Sequence, residues 1–328
     1  MSKEKFDFIG FGALNVDNFY SVSSGRKVQD ILAGLTPGGE LIGNETEREY
    51  ILGNAQRYSA LTGRSGGGQA ANTAVALSRM GFRCGFIGMV GDDEMGGFLL
   101  DSLESVDKSH IHRSGNSGTC LCILDENGER ANIVFSGCND NISLDDADVK
   151  YARSCKVLYL TSFCSEGALD HQKHLLEKSA EETIIAFDPG EIYSRHGIDR
   201  LKGILSHIDM LFVTSEELMM MTGKAPQEAA RDVIEYGAKT VICKMGEKGS
   251  GIITKTSMVI IPVTKAKKVV DKTGAGDVYA AGFIAGLLRD LPIEFCGKLA
   301  SQAAALSISG YGRDKYPDQV FLNEWLST

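Results

Sequence analysis

The sequence predicts an α/β protein built on a mostly parallel sheet, and three observations carry that expectation. Strand-like apolar runs alternate with segments of helical length from end to end, the pattern of βαβ units. The chain has 328 residues of which 43% are hydrophobic, enough to bury a large core without disulfides or a structural metal. Its 38 glycines cluster beside the apolar runs, where backbone can approach a ligand closely.

Taken in order, the predicted strands are Phe6–Phe11, Cys84–Val90, Val157–Leu160, Ile184–Phe187, Met210–Val213 and Thr240–Cys243. Between most of them lie amphipathic segments such as Asn72–Met80, which stops at Gly81, then Gly167–Glu182 and Gln227–Tyr236. Two stretches break the pattern. Residues 18–66 hold many turn formers and few helical stripes. Residues 118–136 read as a hairpin, Thr119–Leu124 and Ala131–Ser136 around Asp125-Glu126-Asn127-Gly128, because Asn-Gly favours a tight reversal. Two such excursions from one α/β core predict a small sheet that covers a site. The expected division is a core of residues 1–16, 67–115 and 137–328, with a β lid of 17–66 and 116–136.

Composition excludes several classes. With 34 Lys and Arg against 43 Asp and Glu the formal charge is −9, which argues against a nucleic-acid binder and its basic stripe. The longest nearly apolar stretch, Val278–Leu288, is too short to span a membrane, and Phe6–Phe11 is too short for a secretion signal, so a soluble, cytoplasmic protein is expected. The eight cysteines lack the paired spacing of a zinc site and are read as reduced hydrophobes. Cys120 and Cys122 would nonetheless share one strand face.

Chemistry gathers at three motifs. Gly10-Phe11-Gly12-Ala13-Leu14-Asn15 resembles a dinucleotide fingerprint but lacks the third glycine and the following helix, so a nicotinamide enzyme is rejected. Asn15 and Asp17, two residues apart beyond the first strand, suit neighbouring hydroxyls. Gly66-Gly67-Gly68 leads into a helix with Asn72 in its first turns, offering main chain to a polar ligand. Strongest is Asp271-Lys272-Thr273-Gly274-Ala275-Gly276-Asp277 before the helical run Val278–Leu288. Small residues ahead of a helix leave amides unpaired and make an anion hole, and a carboxylate placed beside it suits proton removal from an attacking hydroxyl. No G-x₄-G-K-[ST] is present, so this is not a P-loop.

These motifs, with Gly88-Met89-Val90-Gly91-Asp92-Asp93, Gly137-Cys138-Asn139-Asp140 and Lys244-Met245-Gly246-Glu247-Lys248-Gly249-Ser250, occur in family order over nearly the whole chain. The sequence thereby resembles the ribokinase-like carbohydrate kinases, the PfkB family. The resemblance implies a ribokinase-like three-layer α/β/α core with a small β-sheet lid, and ATP-dependent phosphoryl transfer to a hydroxyl of a sugar. It implies Asp277 as base, with Gly274, Ala275 and Gly276 giving anion-hole amides. Asn15, Asp17, Gly67, Gly68 and Asn72 would contact substrate, while Thr214, Glu217, Lys244, Gly246 and Gly249 would attend the nucleotide. Mg²⁺ would accompany ATP, with Glu217 reaching it through water, and K⁺ is implied near Asp271 and Thr273. The family's N-x-x-E element reads Thr214-Ser215-Glu216-Glu217, with Thr in place of Asn, and its D-P-N element reads Asp188-Pro189-Gly190.

The expected partner is therefore a small sugar, with no nucleic acid and no membrane. A nucleoside kinase of the same family is the alternative, its base stacked on Phe19, Tyr20, Tyr50 or Tyr58. A sugar sensor without turnover is a third reading, disfavoured by the retained Asp277. Pairing of lids between two subunits would give a homodimer.

Overall fold

In the computed structural model, residues 5–36, 39–125, 130–178 and 182–327 are described. Nine strands form the main sheet: β1 (Phe6–Phe11), β5 (Cys84–Val90), β6 (Asp107–Arg113), β9 (Cys155–Thr161), β10 (Ile184–Asp188), β11 (Met210–Thr214), β12 (Thr240–Lys244), β13 (Ser250–Thr254) and β14 (Met258–Ile261). Five more form a second sheet: β2 (Asn15–Val22), β3 (Glu40–Ile42), β4 (Ser59–Gly67), β7 (Gly118–Leu124) and β8 (Arg130–Phe135). All six strands expected for the core are present.

The large sheet runs in the order β14-β13-β12-β11-β10-β9-β1-β5-β6. It is parallel from β12 to β6, and β13 and β14 add an antiparallel edge. Its inner strands are apolar throughout because helices cover both faces; every residue of β5 is buried. One face packs on helices Gln69–Arg79, Ala275–Leu288 and Ile293–Ser307, and the other on Glu166–Glu177, Ile198–Leu205 and Pro226–Glu235. The helix Ala275–Leu288 is buried on nearly every side, which accounts for its almost uniformly apolar sequence. No helix among the described residues is long and apolar enough to cross a membrane.

The chain starts in the middle of this sheet at β1, builds outward through β5 and β6, and returns to β9 on the other side. Order therefore reverses between β1 and β9. Open α/β sheets bind ligands at such a switch point, beyond the carboxyl ends of the strands.

The second sheet has the order β3-β8-β7-β2-β4. Residues 15 and 16, expected in the core, already belong to it. Period-two alternation divides it into two faces. Tyr20, Leu121, Ile123, Ala131, Ile133 and Phe135 pack with Ile51 and Ala55 of the helix Arg48–Tyr58 into a separate small core. That helix was not anticipated within residues 18–66. The opposite face, carrying Asn15, Asp17, Cys120, Cys122 and Arg130, looks onto the switch point. The strands of the expected hairpin pair antiparallel. Of its turn, Glu126, Asn127 and Gly128 lie outside the described residues.

Candidate active site

A cavity of about 730 Å³ lies between the two sheets. Its floor is made by the ends of consecutive parallel strands: Thr161 closes β9, Asp188 β10, Thr214 β11 and Lys244 β12. Of these, Thr161, Thr214 and Lys244 line the cavity, together with Gly68 and Asn72 from the start of one helix and Lys272–Asp277 from the start of another. Motifs up to about 200 residues apart in sequence meet here because parallel topology brings every strand's carboxyl end to one edge.

Asp277 is buried, with 8% of its surface accessible. Asn72 Nδ2 donates to its Oδ2 at 2.8 Å. Burial pushes its carboxyl up to about 7; Asn72's hydrogen bond opposes this, and the nearby Asp188 charge adds to it. A carboxylate held near neutrality is matched to accepting a proton from a hydroxyl.

Gly274 precedes the helix with φ 71°, a left-handed conformation that glycine adopts freely. A Cβ there would meet Tyr316 Oη at 2.7 Å. No acceptor for the amides of Gly274, Gly276 and Asp277 is found among the described residues. The Ala275 amide donates to the Lys272 carbonyl at 3.2 Å, so an anion would have to displace that bond to use it. The unspent amides at a helix start form a cradle for negative charge. Lys244 Nζ flanks it, since a Cβ on Gly276 would lie 3.3 Å from that atom.

Lys244 donates to the fully buried Asp188 at 2.8 Å. Burial alone would lower the lysine, but the Asp188 and Glu217 carboxylates outweigh it and hold the ammonium charged. Glu217 is pushed up to about 7 by burial and by the Asp188 charge. The substituted Thr214 is the N-cap of helix Ser215–Thr222. Its Oγ1 accepts from the Glu217 amide at 3.1 Å, and Glu217 Oε2 accepts from the Thr214 amide at 2.7 Å. This reciprocal capping box fixes Glu217 without an asparagine.

On the lid side, Asp17 carries an exposure of 8%, and its carboxyl is pushed up to about 7 by burial, against the charges of Arg130 and Arg313. Its oxygens accept no hydrogen bond from a described residue. Gly67 does not line the cavity; it makes room, because a Cβ there would lie 2.2 Å from the Asp17 carboxylate. Gly68 has φ 106° and lies against the Ala13 carbonyl. Asn15 lines the cavity, and its Oδ1 accepts from Asn139 Nδ2 at 3.0 Å. Both Asn15 and Asp17 sit on lid strand β2 and not at the end of β1.

Besides Gly67, three expected contacts are not brought to the cavity. Gly246 and Gly249 line neither this cavity nor a second one of about 520 Å³; with φ 58° and 84° they shape the turn between β12 and β13. Their neighbours Met245, Lys248 and Gly251 line the second cavity instead, which shares Glu216 with the first. Asp271 also stays outside. Its Oδ1 accepts from the Thr273 amide at 2.8 Å and hydroxyl at 2.5 Å, and its Oδ2 from the Gly312 amide at 3.1 Å, stapling the loop.

Sequence reasoning missed Arg313. It is buried, donating from Nε to Asn72 Oδ1 at 3.0 Å and from Nη1 to the Ser102 carbonyl at 2.7 Å. It thus orients the amide that orients Asp277. It also missed Arg130, which lines the lid face, and gave no role to Asn139 of the Gly137–Asp140 motif, which accepts from the Leu14 amide at 2.9 Å. The proposed stacking aromatics are elsewhere: Tyr20 and Tyr58 pack in the lid core, Tyr50 is exposed, and Phe19 lies beside the lid cysteines. Phe163 is the only aromatic side chain among the described residues lining the larger cavity.

The pfkB family carbohydrate kinase model matches residues 39–318. A protein of Archaeoglobus fulgidus described as an uncharacterized sugar kinase is 38% identical over 254 residues, 75% of this chain and all of that one. An ATP-dependent ribose-1-phosphate kinase of Halopiger xanaduensis is 30% identical over 80% of this chain and 87% of its own. In structure, adenosine kinase from Sinorhizobium meliloti superposes with a TM-score of 0.87 at 20% identity, covering 99% of this chain and all of that one. Arabidopsis thaliana ribokinase, solved with ribose and ATP, gives 0.77 at 20% identity and 99% coverage of both. The structural likenesses establish the fold.

Proposed function

Because the chain belongs to the pfkB family of carbohydrate kinases, phosphotransferases with an alcohol acceptor, we propose that it transfers the γ-phosphoryl group of ATP to a hydroxyl of a small sugar-like molecule. The observation that carries the reading is the pairing of Asp277, buried and raised to about 7, with unspent amides at the start of its own helix. Asp277 takes the proton of the attacking hydroxyl as the bond to phosphorus forms. The amides of Gly274, Gly276 and Asp277, with Ala275 once freed, and the Lys244 ammonium meet the negative charge on the transferring group. Phosphoryl transfer asks chiefly for such positioning and charge stabilisation.

Asp17, Asn15 and Asn72 hold the acceptor's hydroxyls, Gly68 lets it approach the main chain, and Gly67 leaves the room that the Asp17 carboxylate needs. Thr214 and Glu217 attend the nucleotide's phosphates, and Gly246 and Gly249 act through the turn they shape, which sets Met245 and Lys248 along the second cavity, where the base would lie. The residues fit Mg²⁺: Asp188, Glu217 and Asp277 together carry more negative charge than Lys244 balances, and Glu217 would hold the ion through water. Bound there, it would screen the phosphates. K⁺ fits less well, since the Asp271 oxygens are engaged within the loop and main-chain carbonyls would have to supply its ligands.

A sugar is favoured over a nucleoside because the lid presents thiols, a carboxylate and a guanidinium to the cavity where a base would need an aromatic face. The test is Mg-dependent ADP release with a panel of pentoses, hexoses, sugar acids, sugar phosphates and nucleosides, against Asp277→Asn. Turnover with a sugar that the variant abolishes supports the proposal. Turnover confined to nucleosides overturns the acceptor class, and no turnover with retained sugar binding overturns catalysis.

A further inference from the structure

We propose that Asp17, Cys120 and Cys122 form a binding site for a thiophilic divalent cation such as Zn²⁺ or Cd²⁺ on the lid face of the cavity. β2 and β7 run parallel with Asp17 opposite Cys120 and Phe19 opposite Cys122. Alternation along β7 turns Leu121 and Ile123 into the lid core and leaves both sulfurs facing the cavity. The two Sγ atoms are 3.6 Å apart, and one ligand atom from each of the three residues lies within 4.8 Å of the others. A tetrahedral Zn²⁺ with sulfur at about 2.3 Å requires sulfurs about 3.8 Å apart, close to the spacing already present.

Chemistry favours an ion over a second hydroxyl contact. Thiols are weak partners for hydroxyls, so two of them beside a carboxylate are poorly explained by sugar binding alone. The Asp17 oxygens are unspent, as a ligand's must be. When the ion binds, each thiol loses its proton to solvent. The three donors then carry three negative charges, which the ion and the neighbouring Arg130 guanidinium neutralise together. Cys164, which packs against the cluster of Cys120, Cys122 and Val134 and also lines the cavity, lies nearby.

An ion there occupies the position assigned above to the acceptor's hydroxyls, so it should inhibit in competition with the acceptor. That consequence rests on the proposed function; the binding itself does not. The full-length reduced, metal-free protein would be titrated with Cd²⁺ without oxygen, following the ultraviolet thiolate-to-cadmium charge-transfer band. One Cd²⁺ per chain with the intensity of two thiolates is expected, displaced by Zn²⁺. Cys120→Ala and Cys122→Ala should each weaken binding by at least about 100-fold, more than loss of an outer-shell partner does, with the far-ultraviolet spectrum unchanged. A wild-type protein without the band, or a double variant with undiminished binding, overturns the site. If Cd²⁺ binds as expected but its inhibition of ADP release is unaffected by acceptor concentration, the metal site stands and the substrate role of Asp17 falls.

Discussion

Replacing Asp277 with asparagine should make the protein more stable at high pH while destroying its activity. Burial carries this carboxyl from an ordinary 3.8 to about 7, so the folded state binds its proton more tightly than the unfolded chain. A folded state that holds more protons loses stability as pH rises. The loss therefore begins above about pH 4, grows until about pH 7 and is complete beyond it. Each tenfold in proton affinity is worth about 1.4 kcal/mol, which sets a ceiling of ~4 kcal/mol. Asparagine keeps an acceptor for Asn72 Nδ2 but gives up the attraction of Lys244, so a gain of about 2 kcal/mol at pH 8 is expected. Near pH 4 the two proteins should differ little. Urea unfolding at both pH values, without ligands, reads the difference directly. Equal stability at pH 8, or a variant less stable there, would falsify the claim that the site holds Asp277 against a desolvation cost.

Other substitutions probe the rest of the site. Gly274→Ala forces a side chain into the left-handed region and against Tyr316 Oη, and should cost about 1–2 kcal/mol in thermal unfolding along with most of kcat. Lys244→Met leaves Asp188 buried and unpaired, so stability should fall by about 3–5 kcal/mol; adding Asp188→Asn should recover most of the stability but not the rate. Arg313→Ala unties Asn72 without touching substrate, so kcat should fall roughly tenfold with the KM for ATP unmoved, and urea midpoints should record a loss of about 2 kcal/mol.

Much of this architecture is legible in the sequence for a physical reason. Strands β1, β5 and β9–β12 are buried on both faces and read as apolar runs, and the glycine motifs mark where main chain must bend or be approached. Elements that are half solvated are not legible in that way. β6, Asp107–Arg113, is a polar edge strand whose His110 and His112 both face the Asp148 carboxylate. Helix Arg48–Tyr58 buries only Ile51 and Ala55 and so leaves no apolar stripe. The site divides similarly. Asp277, Asn72 and the glycines belong to contiguous motifs, whereas Arg313 reaches Asn72 across the fold and has no local signature. Thr214 is instructive: the Thr-x-x-Glu spacing of a capping box was present in the sequence and explains how threonine can serve there.

In the proposed reaction Asp277 removes the acceptor's proton. The most direct test is the pH dependence of kcat/KM for the acceptor from about pH 5 to about pH 9, at saturating MgATP, in wild type and Asp277→Asn. The rate should rise with pH to a plateau as the Asp277 carboxyl, raised by burial, gives up its proton, and should be lost in the variant although acceptor still binds. A rate that does not respond to pH, or a variant that retains it, would mean that Asp277 is not the base.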